Sequence, residues 1–545
     1  MSTQQTRRPK LSRLSRVMAI ALPLLCLAAP SFWLMTSVPP LWRDVDAYIQ
    51  VSSSPGPSTI LLHGPLYCQL ARVPLWIGQL TTGESMGFAG FMKHPRLTDA
   101  GVYLLLSIQH AGLWLAAFYL LSALSASLLV RVALAIFFAS HPMFYGFAHC
   151  VGSETLSMIL ILLLVGVGLR MVAAYPAVET RWWLLAGFLL WCCILTRHIN
   201  GLLIGLLPLT FVLLALGQWW RSSRTRLEKG TDAPRFEIAQ QVRACGLSIA
   251  TGVIALLLAS GYTQLLCRKA HVRPRSEAGF TFLWRLNFLP TLPTAARHAL
   301  VERIAQRTSL PDSRRLLRFL QDWVDHHAIW EPVQFLASAR AGLDFASPKV
   351  PREHFDLVLN DVAAAFLSPP PSPLVAIARD DFAQSTSLTE SDIARYLFST
   401  TDYINIHRLQ MPQAATLITF RNPADRVMKF ESAAYFRLWD LVSFRGWSVV
   451  WLGAVALVWG VGRRATQPPS RIISYAVALC GAGVLLTLVN CFFAQILPRF
   501  ALPMMEFMLL SLTILLGSLL SSFLTNRSAG SDALEHERDR RASSA

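Results

Sequence analysis

The chain has 545 residues, 53% of them hydrophobic and only 15% charged, whereas soluble globular chains carry about a quarter charged residues, so most soluble classes are excluded. Its 49 Lys and Arg outnumber its 32 Asp and Glu, for a formal charge of +17. Such an excess suits either a nucleic-acid surface or the basic cytoplasmic loops of a multispanning membrane protein, and the location of the charges decides between them.

A helix that crosses the hydrocarbon core needs roughly 20 mainly apolar residues. The first such run, 17–37, follows Arg7, Arg8, Lys10, Arg13 and Arg16. It is longer than a signal-peptide core and no small-residue cleavage site follows it, so it reads as a retained anchor with a cytoplasmic arm at 1–16. The segment 38–99 comes next. Within it Leu66, Leu70, Val73, Ile77 and Leu80 keep helical spacing, as a helix in the membrane interface does and as an amphipathic piece packed on a bundle also does. Pro74 is expected to break or kink that helix.

Further apolar runs fall at 100–128, 132–148, 155–175, 182–197, 200–220 and 245–266. The long segment 267–446 is the candidate for a separate domain, and its 22 basic and 18 acidic residues nearly balance. There Pro311-Asp312-Ser313 opens a helical run with Leu316, Leu317, Leu320 and Trp323 on one face, and Pro369-Pro370-Pro371 reads as a turn or stiff connector. Runs at 447–462, 472–497 and 501–523 follow, then a tail at 524–545. The expected fold is an all-α integral membrane bundle of about ten transmembrane helices with a large extracytoplasmic loop.

If the first span enters from the cytoplasm, the short links at 131, 170–181, 221–243 and 463–471 return there, and these are the basic ones. The link 221–243 alone holds Arg221, Arg224, Arg226, Lys229, Arg235 and Arg243, while 141–153 has no Lys or Arg. The charge excess therefore reads as a topology signal, with both termini in the cytoplasm and no need for nucleic acid as a partner. Nine cysteines show no pairing pattern; a disulfide among Cys68, Cys150 and Cys267, near the far side, stays open.

The polar motifs collect on that far side. They are Trp42-Arg43-Asp44-Val45-Asp46-Ala47-Tyr48, His63-Gly64-Pro65-Leu66-Tyr67, His141-Pro142, Ser153-Glu154, Arg197-His198, and Pro498-Arg499-Phe500 with Pro503. Each alone has an ordinary explanation, such as a helix N-terminal acid for Glu154 or snorkelling anchors for Arg197 and Arg499. Their convergence on one face is what makes them candidates, because ionisable groups at the mouth of a bundle are costly unless solvated or used.

In these motifs the chain resembles the GT-C superfamily of polytopic glycosyltransferases, particularly bacterial relatives of protein O-mannosyltransferases and aminoarabinose transferases. An acidic pair and a following Tyr match Asp44 and Tyr48, a His-Pro-Pro-Leu-Tyr element matches His63 to Tyr67 with Gly64 in place of one proline, and later motifs match Glu154, Arg197 and Arg499. Asp-Val-Asp departs from the usual Asp-Glu, which leaves the branch and the sugar open. The resemblance covers the membrane part and not 267–446.

It implies a polyprenyl-phosphate sugar as donor, used on the outer face of a bacterial inner membrane, with a lipid, glycan or protein acceptor. Because a lipid phosphate leaves more readily than an alkoxide, one carboxylate suffices as base, with Asp44 the first choice and Asp46 the second. Arg197 and Arg499 are the better candidates for the phosphate, ahead of Arg43 and the cluster Arg268, Lys269, Arg273 and Arg275. Glu154, His63 and Tyr67 are candidates to position sugar or acceptor, and Tyr48, His141 and His198 complete the substrate-binding set. No cofactor is certain. A divalent cation between Asp44 and Asp46 stays open, and Asp325-His326-His327 with Glu331 is a weak metal candidate, since adjacent histidines face different sides of a helix. The rival reading is a transporter or lipid flippase, which tends to show repeated halves and polar groups at the midplane.

Overall fold

The computed structural model describes residues 13–38, 64–81, 87–93, 98–125, 127–229, 235–269, 278–327, 329–346, 352–397, 437–462, 470–493 and 501–544. Arg43, Asp44, Asp46, Tyr48, His63 and Arg499 lie outside the described residues, as do Arg273 and Arg275.

The N-terminal module runs α1 (Arg13–Ser37), α2 (Pro65–Leu80), α3 (Phe88–Lys93), α4 (Asp99–Leu124), α5 (Leu128–Ala139), α6 (Pro142–Ala148), α7 (Ser153–Ala174) and α8 (Thr180–Thr196). A 3-10 segment (His198–Gly205) leads into α9 (Leu206–Lys229), and α10 (Arg235–Lys269) follows. Next come α11 (Ala278–Leu283), α12 (Thr294–Ala305), α13 (Pro311–His326), α14 (Pro332–Gly342), α15 (Arg352–Leu367), α16 (Ser372–Ser385) and α17 (Glu390–Leu397). The chain closes with α18 (Phe444–Gly462), α19 (Ser470–Phe493) and α20 (Leu502–Ser544).

Among the described residues eight helices are long and apolar enough to cross a membrane, and α5 with α6 makes a ninth if they count as one span bent by 69°. Helix α8 is apolar but has only 17 residues. Together these account for the ten apolar runs, and the protein is a polytopic helical membrane protein. The run at 132–148 is thus built of two helices that meet at a bend. Pro142 supplies no backbone N–H and disfavours helical geometry at His141, so the first helix ends at Ala139 and a second starts at Pro142.

Helix α7 is the central one, with 72% of its apolar window buried against 28% for the window in α1. It packs on α4 and α8, while α19 and α18 pack on α20. Leu115, Leu184 and Val449 are each at least 60% exposed, as side chains facing lipid are. Helix α2 runs unbroken through Pro74, against the expected break. It buries Tyr67, Ala71, Leu75 and Gly78, whereas Leu70, Val73, Ile77 and Leu80 are exposed, so the spaced apolar stripe faces outward.

The segment 267–446 builds a hydrophobic cluster of its own, from Phe282 to Leu374. Leu316, Leu317, Leu320 and Trp323 are buried in it on the face of α13 that their spacing specifies. Helix α17 instead joins the bundle, where Ile393 is buried in the core shared with the spans.

Candidate functional site

Glu154 stands in the first turn of α7, and Arg197 is the residue on which α8 ends. Arg197 Nη1 lies 3.0 Å from Glu154 Oε1, with both side chains partly exposed. The helix ends explain the meeting. An acid is favoured at a helix N-terminus, and extended backbone at Arg197, φ −149°, turns its side chain out of α8. The two residues line one cavity with Ser157, Asn200, Asn490 and Glu506, and α20 closes another wall with Leu502 and Pro503, just after Arg499 in sequence. The cavity measures about 460 Å³ with its open mouth included.

Beneath the ion pair, Asn200 fixes the start of the 3-10 segment. Its Nδ2 donates to Ser157 Oγ at 2.9 Å and to Cys193 O at 3.0 Å, so α7 and α8 are joined through Asn200.

Val38 and Gly64, the described residues on either side of 39–63, contact residues close in sequence to Glu154 and Arg197. Val38 O accepts a hydrogen bond from His149 Nε2 at 2.9 Å. Because a carbonyl can only accept, Nε2 bears the proton and His149 Nδ1 is the acceptor for His110 Nε2–H at 3.3 Å. His110 Nδ1 then accepts from the Ser31 hydroxyl at 2.8 Å, and Trp114 Nε1 donates to that hydroxyl at 2.8 Å. The chain thus ties α1 and α4 to the link before Glu154.

At the other end is Gly64, whose φ of 79° lies in the left-handed region. A Cβ there would overlap Leu195 O, close to Arg197. Proline, fixed near −65°, is excluded for the same reason, and this accounts for the glycine in the His63 to Tyr67 element.

Tyr67 is buried, and its hydroxyl donates to Gln109 Oε1 at 3.0 Å; Gln109 Nε2 in turn donates to Ala148 O and Cys150 O, at 3.0 Å each. Burial first, then the nearby Cys150, Cys68 and Glu154, push the Tyr67 phenol well above its ordinary pKa. His198 is exposed at the start of the 3-10 segment. His141 does not line the cavity. It is buried where α6 meets α17, with Nδ1 donating to Glu390 Oε2 at 2.8 Å, and Glu390 Oε1 accepts the Met143 amide at 3.3 Å.

Among the described residues no group of three or more His, Cys, Asp or Glu converges as a metal site. Asp325 is taken by Arg297 and His298, while His327 stacks on Trp323 at 4.0 Å with its Nδ1 on Trp323 O. None of the described cysteines forms a disulfide. The sequence reading missed Asn200, Asn490 and Glu506, each set in an apolar run.

No family model matches the chain, and neither does any curated protein. Among solved structures it is similar over 96% of its length to the archaeal oligosaccharyltransferase AglB from Archaeoglobus fulgidus in complex with an inhibitory peptide and a dolichol-phosphate, at 11% identity and a TM-score of 0.41. The apo form of the Archaeoglobus fulgidus oligosaccharyltransferase is similar over 97%, at 12% identity and a TM-score of 0.43. The chain spans about half the length of these proteins, 52% and 53%.

Proposed function

We propose that the protein is a membrane glycosyltransferase that moves a sugar from a polyprenyl-phosphate donor to an acceptor hydroxyl, on the extracytoplasmic face of a bacterial inner membrane. The observation that carries this reading is that Val38 and Gly64, the described residues flanking 39–63, contact His149 and Leu195, which are close in sequence to Glu154 and Arg197. The Lys and Arg distribution supports cytoplasmic termini, which puts the pair and its cavity at the outer end of the bundle.

In the proposed reaction the acceptor oxygen attacks the anomeric carbon as the bond from that carbon to the phosphate oxygen breaks. The acceptor proton passes to Asp44, and polyprenyl phosphate leaves with the bonding electrons. The configuration inverts, because there is one displacement. The departing phosphate gains negative charge, so a cation held beside it favours the transition state over the ground state. Arg197 has that role, with Arg499 as its partner. Glu154 orients the Arg197 guanidinium and leaves it N–H groups for the phosphate. A neutral hydroxyl acceptor is made a better nucleophile only while its proton is leaving, so the base acts in the same step.

The test uses the full chain in lipid vesicles, with radiolabelled undecaprenyl-phosphate hexoses and an extract of envelope lipids and glycans as acceptor. Cleavage with transfer of label is expected, together with its loss in a folded Asp44→Asn protein. Movement of intact lipid across the vesicle wall without cleavage favours the flippase instead. Full transfer by Asp44→Asn removes Asp44 as the base.

A further inference from the structure

Glu506 stands in the second turn of α20 and is 3% exposed. Around it Met504, Met505, Phe507, Met508, Leu509 and Leu510 are all buried and apolar. Its Oε1 has no hydrogen-bond partner among the described residues, although the side chain lines the cavity. Arg197 shares that cavity, but Glu154 holds its guanidinium at 3.0 Å. A buried carboxyl group with an unmet oxygen costs folding free energy whether it is charged or neutral. An apolar residue would fill the position without that cost, whereas a carboxyl group lining the cavity can accept a hydrogen bond from what enters.

What enters must bring a hydrogen-bond donor. Glu506 disfavours an anion in its own part of the cavity, whereas Arg197 on the same lining suits the phosphate. Ser157, Asn200 and Asn490 add the neutral polar groups that suit a polyhydroxylated ligand. The cavity has room for only one or two water-sized groups, which suits a hydroxyl or hydroxymethyl better than a whole ring.

We infer that Glu506 accepts a hydrogen bond from a hydroxyl of the donor's sugar and thereby selects which sugar the cavity admits. The inference rests on the proposed lipid-phosphate sugar donor and adds the residue that reads its sugar.

The experiment measures binding without acceptor, so that only the donor can supply the hydroxyl. Full-length protein in phosphatidylethanolamine and phosphatidylglycerol vesicles is titrated with undecaprenyl phosphate and with its glucose, galactose and mannose derivatives. The wild type is expected to bind one sugar derivative at least tenfold more tightly than the sugar-free lipid. Glu506→Leu loses that preference, keeps the sugar-free affinity, and has a Tm equal to or above the wild type because an unmet polar group is gone; Glu506→Gln is the isosteric companion. Retention of the preference by Glu506→Leu overturns the inference, and a water alone then meets the carboxylate. A lowered Tm in both variants overturns it in favour of a structural role. Binding of undecaprenyl phosphate with no preference among sugars overturns the inference while the proposed function stands. A wild type that binds none of the four lipids overturns both.

Discussion

Arg197 Nη1 meets Glu154 Oε1 at 3.0 Å, joining the end of α8 to the first turn of α7 at the cavity wall. The pair is 27% and 18% exposed, so it is neither a solvated surface contact nor a sealed one. A guanidinium that is oriented by one acid and still reached from the cavity suits an anion that arrives and leaves. Arg197→Ala is therefore expected to lower kcat/KM for transfer by about 10²–10³, the size seen when one preorganised donor to a developing negative charge is removed. Arg197→Lys keeps the charge but not the planar fork and does not restore the rate. Transfer of labelled sugar in vesicles measures both, with Tm recorded for each variant. An unchanged kcat/KM in Arg197→Ala excludes a role at the phosphate.

Gly64 is where the first long segment rejoins the bundle. Its φ of 79° and the approach of Leu195 O act independently against a side chain, so alanine meets both strain and overlap. Gly64→Ala is expected to cost about 1–3 kcal/mol, and Gly64→Pro at least as much because its ring cannot reach positive φ. Thermal unfolding of the purified chain reads the loss. Both variants are also expected to lower transfer, since the displaced backbone is next to Leu195 and Thr196, which lead into Arg197.

The apolar runs were legible because membrane spans are written in residue-by-residue hydropathy. The contact between Glu154 and Arg197 was not legible, although both residues were singled out, because it depends on where two helices end in space. Glu506, Asn200 and Asn490 were hidden for another reason: averaging over an apolar run conceals one polar residue. A lone Glu in an otherwise apolar stretch was the available signal. Pro142 was read as part of a motif, yet its effect on the backbone, a 69° bend, is what separates α5 from α6. The chain of Ser31, His110 and His149 left no sequence signature, since its members are far apart and each is unremarkable alone.

That chain makes its own prediction. His149 donates to Val38 O and accepts from His110, so Phe in its place keeps the ring volume and removes both bonds. His149→Phe leaves the His110 Nε2–H and a carbonyl without these partners, with an expected loss of about 1–3 kcal/mol. Transfer falls as well, because Val38 begins the segment that carries Asp44. A variant with normal Tm and normal transfer shows that the chain does not position that segment.

Acid titration separates the helices of 267–446 from the spans. Burial works to raise the Asp361 pKa, but the Leu310 amide, the hydroxyls of Ser309 and Ser313 and the Ser309 amide outweigh it and hold the carboxyl below its ordinary value. Asp325 behaves alike: burial raises it, and hydrogen bonds from Arg297 and His298 bring the net shift downward. A carboxylate whose folded pKa is depressed stabilises the fold fully above its unfolded pKa, and that contribution is lost as the pH falls through the folded value. The contribution of these two carboxylates is therefore constant near neutrality and declines below about pH 4. Asp361 caps the start of α13 from α15, receiving the Leu310 amide at 3.0 Å and the Ser309 hydroxyl at 2.7 Å. Asp361→Asn is expected to cost about 1–2 kcal/mol at pH 7 and progressively less toward pH 3, because the wild type loses the same charge there. Urea unfolding of the full chain at both pH values, followed by the fluorescence change that Trp323 and Trp330 contribute in this core, measures the difference. An equal penalty at both pH values means that the Asp361 charge does not hold the cap.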